Sequence, residues 1–136
     1  MRSARVVPTL SVVLLFAMAC GNPAASNEVD GQYRLARING SPIPSPNDGC
    51  GIPVLSGSLH IEQGIAARSV SYQINGTPQT TTGTGPVTFT GPTVHFAFTQ
   101  TGGWIWEVTG TWSPGRITIS YPAPCDGTIT EEFDRE

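Results

Sequence analysis

Lysine is missing from this chain: all seven basic side chains are arginines, two of them within the first five residues, against ten Asp and Glu. That balance excludes the dense basic surface of a usual nucleic-acid-binding domain. Charged side chains make up only 12% of the 136 residues. After residue 20 no stretch carries an uninterrupted helical stripe. The stretch Val6–Ala19, uncharged and ahead of the small polar residues that begin at Cys20, contains Pro8 and falls short of the ~20 residues that a spanning helix needs. Cysteine occurs three times, never as C-x-x-C and never in a Cys/His cluster, so no tetrahedral metal shell is suggested. What the chain has in quantity is 16 Gly and 12 Pro together with five Phe, three Trp and three Tyr. Turn formers accompanied by bulky apolar side chains describe one small packed domain, not a disordered chain.

Arg2 and Arg5 precede the apolar run Val12–Ala19, the pattern of a secretory signal peptide over residues 1–19. Ala19-Cys20-Gly21 resembles the lipobox of bacterial lipoproteins, in which the chain is cut before a Cys that then carries diacylglycerol. The resemblance implies a lipidated Cys20 and a membrane partner reached through that anchor. The location implied is the cell envelope, at the outer membrane or cell surface in preference to the inner membrane. The alternative is ordinary cleavage, which leaves Cys20 as a free exported thiol. Residues 20–30 then form the lipidated cysteine and a flexible tether of small and polar residues, and residues 31–136 the domain. Cys50 and Cys125 remain, and in an exported protein they most simply form a disulfide. It closes a loop of about 76 residues, rated at roughly 4 to 4.5 kcal/mol by chain entropy.

Within the domain the apolar period is two. Val70, Tyr72 and Ile74 alternate with polar neighbours, as do Val94, Phe96 and Phe98, then Trp104, Trp106 and Val108, then Ile117, Ile119 and Tyr121. Turn signals separate them at Gln63-Gly64, Asn75-Gly76, Gly91-Pro92, Thr101-Gly102-Gly103, Pro114-Gly115 and Asp126-Gly127. The spacing predicts eight strands near 31–38, 55–62, 66–75, 86–90, 93–100, 103–112, 115–121 and 127–134. Residues 39–54 and 75–85 are left as long connections. The fold class is therefore all-β, a single antiparallel meander closing into a small, roughly eight-stranded barrel, with a β-sandwich as the alternative. In the barrel, strand 1 meets strand 8, so the loops holding Cys50 and Cys125 emerge side by side. The disulfide and the barrel support each other.

Asp30-Gly31-Gln32-Tyr33, followed by Arg34-Leu35 and the turn Asn39-Gly40-Ser41-Pro42, resembles the opening of small bacterial lipocalin-like domains. Lipocalins open with Gly-x-Trp; here Tyr33 stands at the aromatic position. The resemblance implies a calyx and an arginine near the end of the last strand that packs across the opening aromatic, which Arg135 matches. The chain carries no helix after the barrel and is shorter than full-length lipocalins.

Trp104, Trp106 and Trp112 share one strand face with Val108 and Gly110, as either core packing or ligand contacts. Arg68 has the inward phase of Val70 and Tyr72, and a buried arginine needs a partner. Glu131, in phase with Ile129 and Phe133, supplies one, and the pair is expected near Tyr33 and Arg135 at the tight-turn end. Arg68 could instead bind an anion at the foot of a pocket. His60, Glu62 and His95 lie on outward phases, and no serine has the setting of a nucleophile. The expectation is a non-enzymatic envelope lipoprotein that needs no cofactor and binds no nucleic acid. Its barrel is read as filled, an interaction or structural module with an envelope protein as partner. The alternative is a lipocalin-like binder of a small apolar ligand or lipid, and an internal cavity separates the two.

Overall fold

The computed structural model describes residues 28–136, so the signal segment, Cys20 and most of the tether lie outside the described residues. Nine strands follow in order: β1 (Gly31–Ile38), β2 (Ser41–Pro42), β3 (Val54–Glu62), β4 (Ile65–Ile74), β5 (Thr77–Thr90), β6 (Thr93–Gln100), β7 (Ile105–Ser113), β8 (Arg116–Pro122) and β9 (Thr128–Arg135). Each of the eight long strands pairs antiparallel with its neighbour, and β1 also pairs with β9, from Tyr33↔Arg135 to Ile38↔Glu131. The sheet closes on itself. The fold is an eight-stranded up-and-down barrel with one short extra strand, and the sandwich is excluded.

The turns explain the connectivity. At Asn39-Gly40, Gln63-Gly64 and Asn75-Gly76 both residues have positive φ, the left-handed pair of a two-residue hairpin whose twist matches the strands. The first of these creates β2, by pairing Ile38 with Ser41. The third corrects the expected connection at 75–85. Residues 77–85 are strand, paired with β4 from Ile74↔Thr77 to Ile65↔Pro86. Thr77–Thr82 are exposed throughout and meet β6 nowhere, because that pairing starts only at Gly83↔Gln100. With neither face buried, this segment has no apolar alternation to reveal it.

The barrel has a closed end, at the start of β1 and the end of β9, and an open end where residues 39–53 and 123–127 cross. Tyr33, Leu35, Leu59, Ile61, Phe96, Phe98, Ile117 and Phe133 are fully buried and fill the interior toward the closed end. Val29 adds to this core and the Asp30 carboxylate accepts the Gln63 N–H at 3.2 Å, so both belong to the barrel rather than to the tether. Gly85 lies where the β5–β6 pairing breaks between Thr84↔Thr99 and Val87↔Phe96. A Cβ there would overlap the Ala97 carbonyl oxygen and lie 2.9 Å from the carbonyl carbon. Gly85→Ala is expected to force the strands apart and lose about 2–3 kcal/mol in urea denaturation. The exposed neighbour Thr88→Ala should move stability by less than about 0.5 kcal/mol.

Candidate functional site

At the open end the interior is not filled. A cavity of about 410 Å³ lies under the crossing loops, walled by Tyr72, Ile74, Trp104, Trp106, Tyr121 and Ile129 with Ile52, Pro122 and Pro124 above. Asp48, Arg68, Thr81 and Gln100 are its polar lining. The strands supply the walls because inward residues at their open-end termini have no opposing layer. The loops supply the rim because Cys50 and Cys125 are bonded, with Cα atoms 5.6 Å apart.

The floor is a buried ion pair. Arg68 is 4% exposed and Glu131 fully buried; Arg68 Nε donates to Glu131 Oε2 at 2.9 Å and Nη2 donates to Oε1. The Tyr121 hydroxyl donates to the same Oε1 at 2.7 Å. The guanidinium lies 5.2 Å from the Trp106 ring centroid, and Trp106 in turn meets Tyr121 edge-on at 4.9 Å and stacks on Phe98 at 5.8 Å. Burial opposes the charge on Arg68, but Glu131 more than offsets it and holds the arginine above its ordinary range. Burial, then the Glu131 charge, pushes the Tyr121 hydroxyl well up; burial pushes Tyr72 up as well, with Arg68 opposing. Both phenols are therefore neutral hydrogen-bond donors at neutral pH.

Compared with known proteins, the chain matches no family model and no curated sequence. Its chemistry has to be argued from the cavity itself.

The pair Arg68–Glu131 is brought together as the strand phases suggested, but not where they put it. Counting residues from the Gln63-Gly64 turn places Arg68 low. However, the paired row Tyr33–Leu59–Arg68–Gly83–Gln100 climbs around the tilted barrel from the closed end to the rim. Glu131 likewise pairs with Ile38, at the far end of β1 from Tyr33. The ion pair consequently faces the cavity. At the closed end Tyr33 and Arg135 are direct partners in register. The Arg135 guanidinium donates to the Glu28 and Asp30 carbonyls, each at 2.7 Å, passing over Gly31, where a Cβ would meet Nη2 at 3.1 Å. The Tyr33 hydroxyl donates to Val29 O at 2.7 Å.

The tryptophan stripe divides. Trp104, 59% exposed, precedes β7 at the rim, and Trp106 forms the cavity wall. Trp112 sits at the other end of β7, opposite Ile117. Its buried Nε1 has no hydrogen-bond partner among the described residues, although it lies toward the Tyr33 hydroxyl. Trp112 is therefore no part of the cavity: five residues of β7 separate it from Trp106 across a filled core. His60 and Glu62 meet at 3.5 Å on the outer surface.

Asp48 is the site residue that strand phase cannot reveal. Its Oδ1 accepts the Cys50 and Ile52 N–H groups at 2.7 and 3.1 Å, and Asn47 does the same for Gly49 and Gly51. The signal was the run Ser45-Pro46-Asn47-Asp48-Gly49, a composition that builds side-chain-capped turns. A second hollow, about 280 Å³ between β1 and β3, is lined by Leu35, Ile43, Pro44 and Gly57 among others and contains no buried charged group.

Proposed function

We propose that this chain is an exported, lipid-anchored, non-enzymatic protein that holds a small apolar ligand in the mouth of a lipocalin-like barrel. The observation that carries this reading is the 410 Å³ aromatic-walled cavity above an otherwise filled interior. That volume falls within the range of small-molecule sites, which are concave, mostly apolar and marked by a few convergent polar groups. The lipobox-like Ala19-Cys20 junction supports an anchor at Cys20. Because residues 28–30 join the barrel at its closed end, such an anchor would leave the mouth facing away from the membrane.

The packed closed half favours a second reading, an interaction module that contacts an envelope protein through its rim. Titration separates the two. The mature chain with Cys20→Ser is mixed with naphthalene-type probes while tryptophan fluorescence is followed. Saturable micromolar binding, weakened about tenfold by Trp104→Ala, which corresponds to ~1.4 kcal/mol, is the expected result. Trp104 is exposed, so its loss leaves the core and the Trp106 reporter in place. No response from any probe would leave the interaction module.

A further inference from the structure

We infer that the cavity selects uncharged ring compounds bearing a hydrogen-bond acceptor, and discriminates against carboxylates of the same shape. This rests on the reading of the cavity as a ligand site and names the class of ligand.

Arg68 has donors to spare. Its Nε and one Nη2 hydrogen go to Glu131, whereas Nη1 makes no hydrogen bond among the described residues. A guanidinium has five N–H donors, so several remain on a side chain that is 4% exposed and lines the cavity. Nη1 is open to the cavity, since Trp112 Nε1 is the one enclosed side-chain donor left unpaired among the described residues. A ligand that covers it without offering an acceptor strands that donor at a cost, whereas a carbonyl or amide oxygen directed at the floor satisfies it.

Charge works against a carboxylate. An arginine at the foot of a pocket reads from sequence as an anion site, but here its charge is already neutralised by the fully buried Glu131. A ligand carboxylate would bring a second negative charge beside the buried Glu131. It would also meet Asp48, 5% exposed in the same lining. Desolvating an unpaired charge costs more than one additional hydrogen bond returns. Shape favours a ring. Trp106 is already covered by the Arg68 guanidinium, Phe98 and Tyr121, so the aromatic surface left to a ligand is that of Trp104 and Tyr72 in the same lining, which suits a planar ring.

The test uses three matched probes on the mature Cys20→Ser chain at pH 7: naphthalene, 2-naphthamide and 2-naphthoate, the last ionised because a carboxyl titrates near pH 4. The expected order places the amide at least about tenfold tighter than either of the others. Naphthoate binding as tightly as the amide would overturn the inference. Equal binding of bare naphthalene and the amide would also overturn it, while leaving the ligand-site reading intact. If none of the three binds, that reading falls too. Glu131→Gln keeps the shape and removes the neutralising charge, so naphthoate should gain at least about tenfold relative to the amide. An unchanged ratio in a folded variant would overturn the charge argument. Should that variant not fold, Asp48→Asn is expected to raise the affinity for naphthoate relative to the amide several-fold, and an unchanged ratio would overturn the inference.

Discussion

Arg68→Met is expected to cost about 3–5 kcal/mol in stability, because it leaves the Glu131 carboxylate buried with only the Tyr121 hydroxyl as partner. For a domain of this size that is a fall in melting temperature of roughly 15 °C. Glu131→Leu should be comparably damaging, since it leaves a guanidinium in the barrel with no counter-charge. The double variant Arg68→Met with Glu131→Leu is expected to recover most of the loss. Replacing a buried ion pair by apolar residues of similar size is often neutral or stabilising, and the surrounding Ile74, Trp106 and Ile129 are already apolar. Urea denaturation of the four proteins gives the coupling directly. A double variant as unstable as the two losses added together would mean that the residues do not act as a pair.

That expectation separates folding from function. If apolar replacement is close to neutral for stability, the ion pair is not needed to hold the barrel together. A charged pair retained at the floor of an open cavity then has its explanation in what the cavity receives. The double variant should accordingly lose the preference for acceptor-bearing probes while keeping its fold.

Strand identity is legible in this sequence wherever one face is buried, as in Val94-Phe96-Phe98 and Ile117-Ile119-Tyr121, because the core enforces the period of two. It fails for Thr77–Thr82, which are exposed throughout, with only Thr81 reaching the open cavity, and have only threonine's β-propensity and the Asn75-Gly76 turn to mark them. The inward phase of Arg68 and Glu131 is legible by the same argument, and so is their pairing. Their height in the barrel is not, since height depends on the stagger between strands, which no single strand encodes. The same limit hid the division of the tryptophans. Phase places Trp104, Trp106 and Trp112 on one face, whereas length along β7 decides that two reach the cavity and one the closed end. Asp48 is hidden for a different reason: its role comes from a loop whose path is set by Asn39, which accepts the Thr130 N–H and donates to Asp48 O, each at 2.8 Å.

Replacing both cysteines, Cys50→Ala with Cys125→Ala, is expected to lower stability by about 4 kcal/mol. The bond joins residues 75 apart, and the chain-entropy cost that it removes from the unfolded state rises with the logarithm of the closed loop. A marginal domain has only about 5–15 kcal/mol in total, so the loss should be plain in the urea midpoint of the variant and of the reduced native protein alike. The effect on binding should be larger than the effect on the closed half. Both bonded loops belong to the rim, where Asp48 and Ile52 on one side and Pro124 on the other line the cavity, whereas Tyr33, Phe96 and Phe133 belong to the filled interior toward the closed end. Amide exchange should therefore rise across residues 45–53 and 123–127 under reducing conditions that still leave the barrel folded, and probe affinity should fall in parallel. Unchanged affinity in the reduced, folded protein would show that Asn39 and the Asp48 turn hold the rim without the covalent bond.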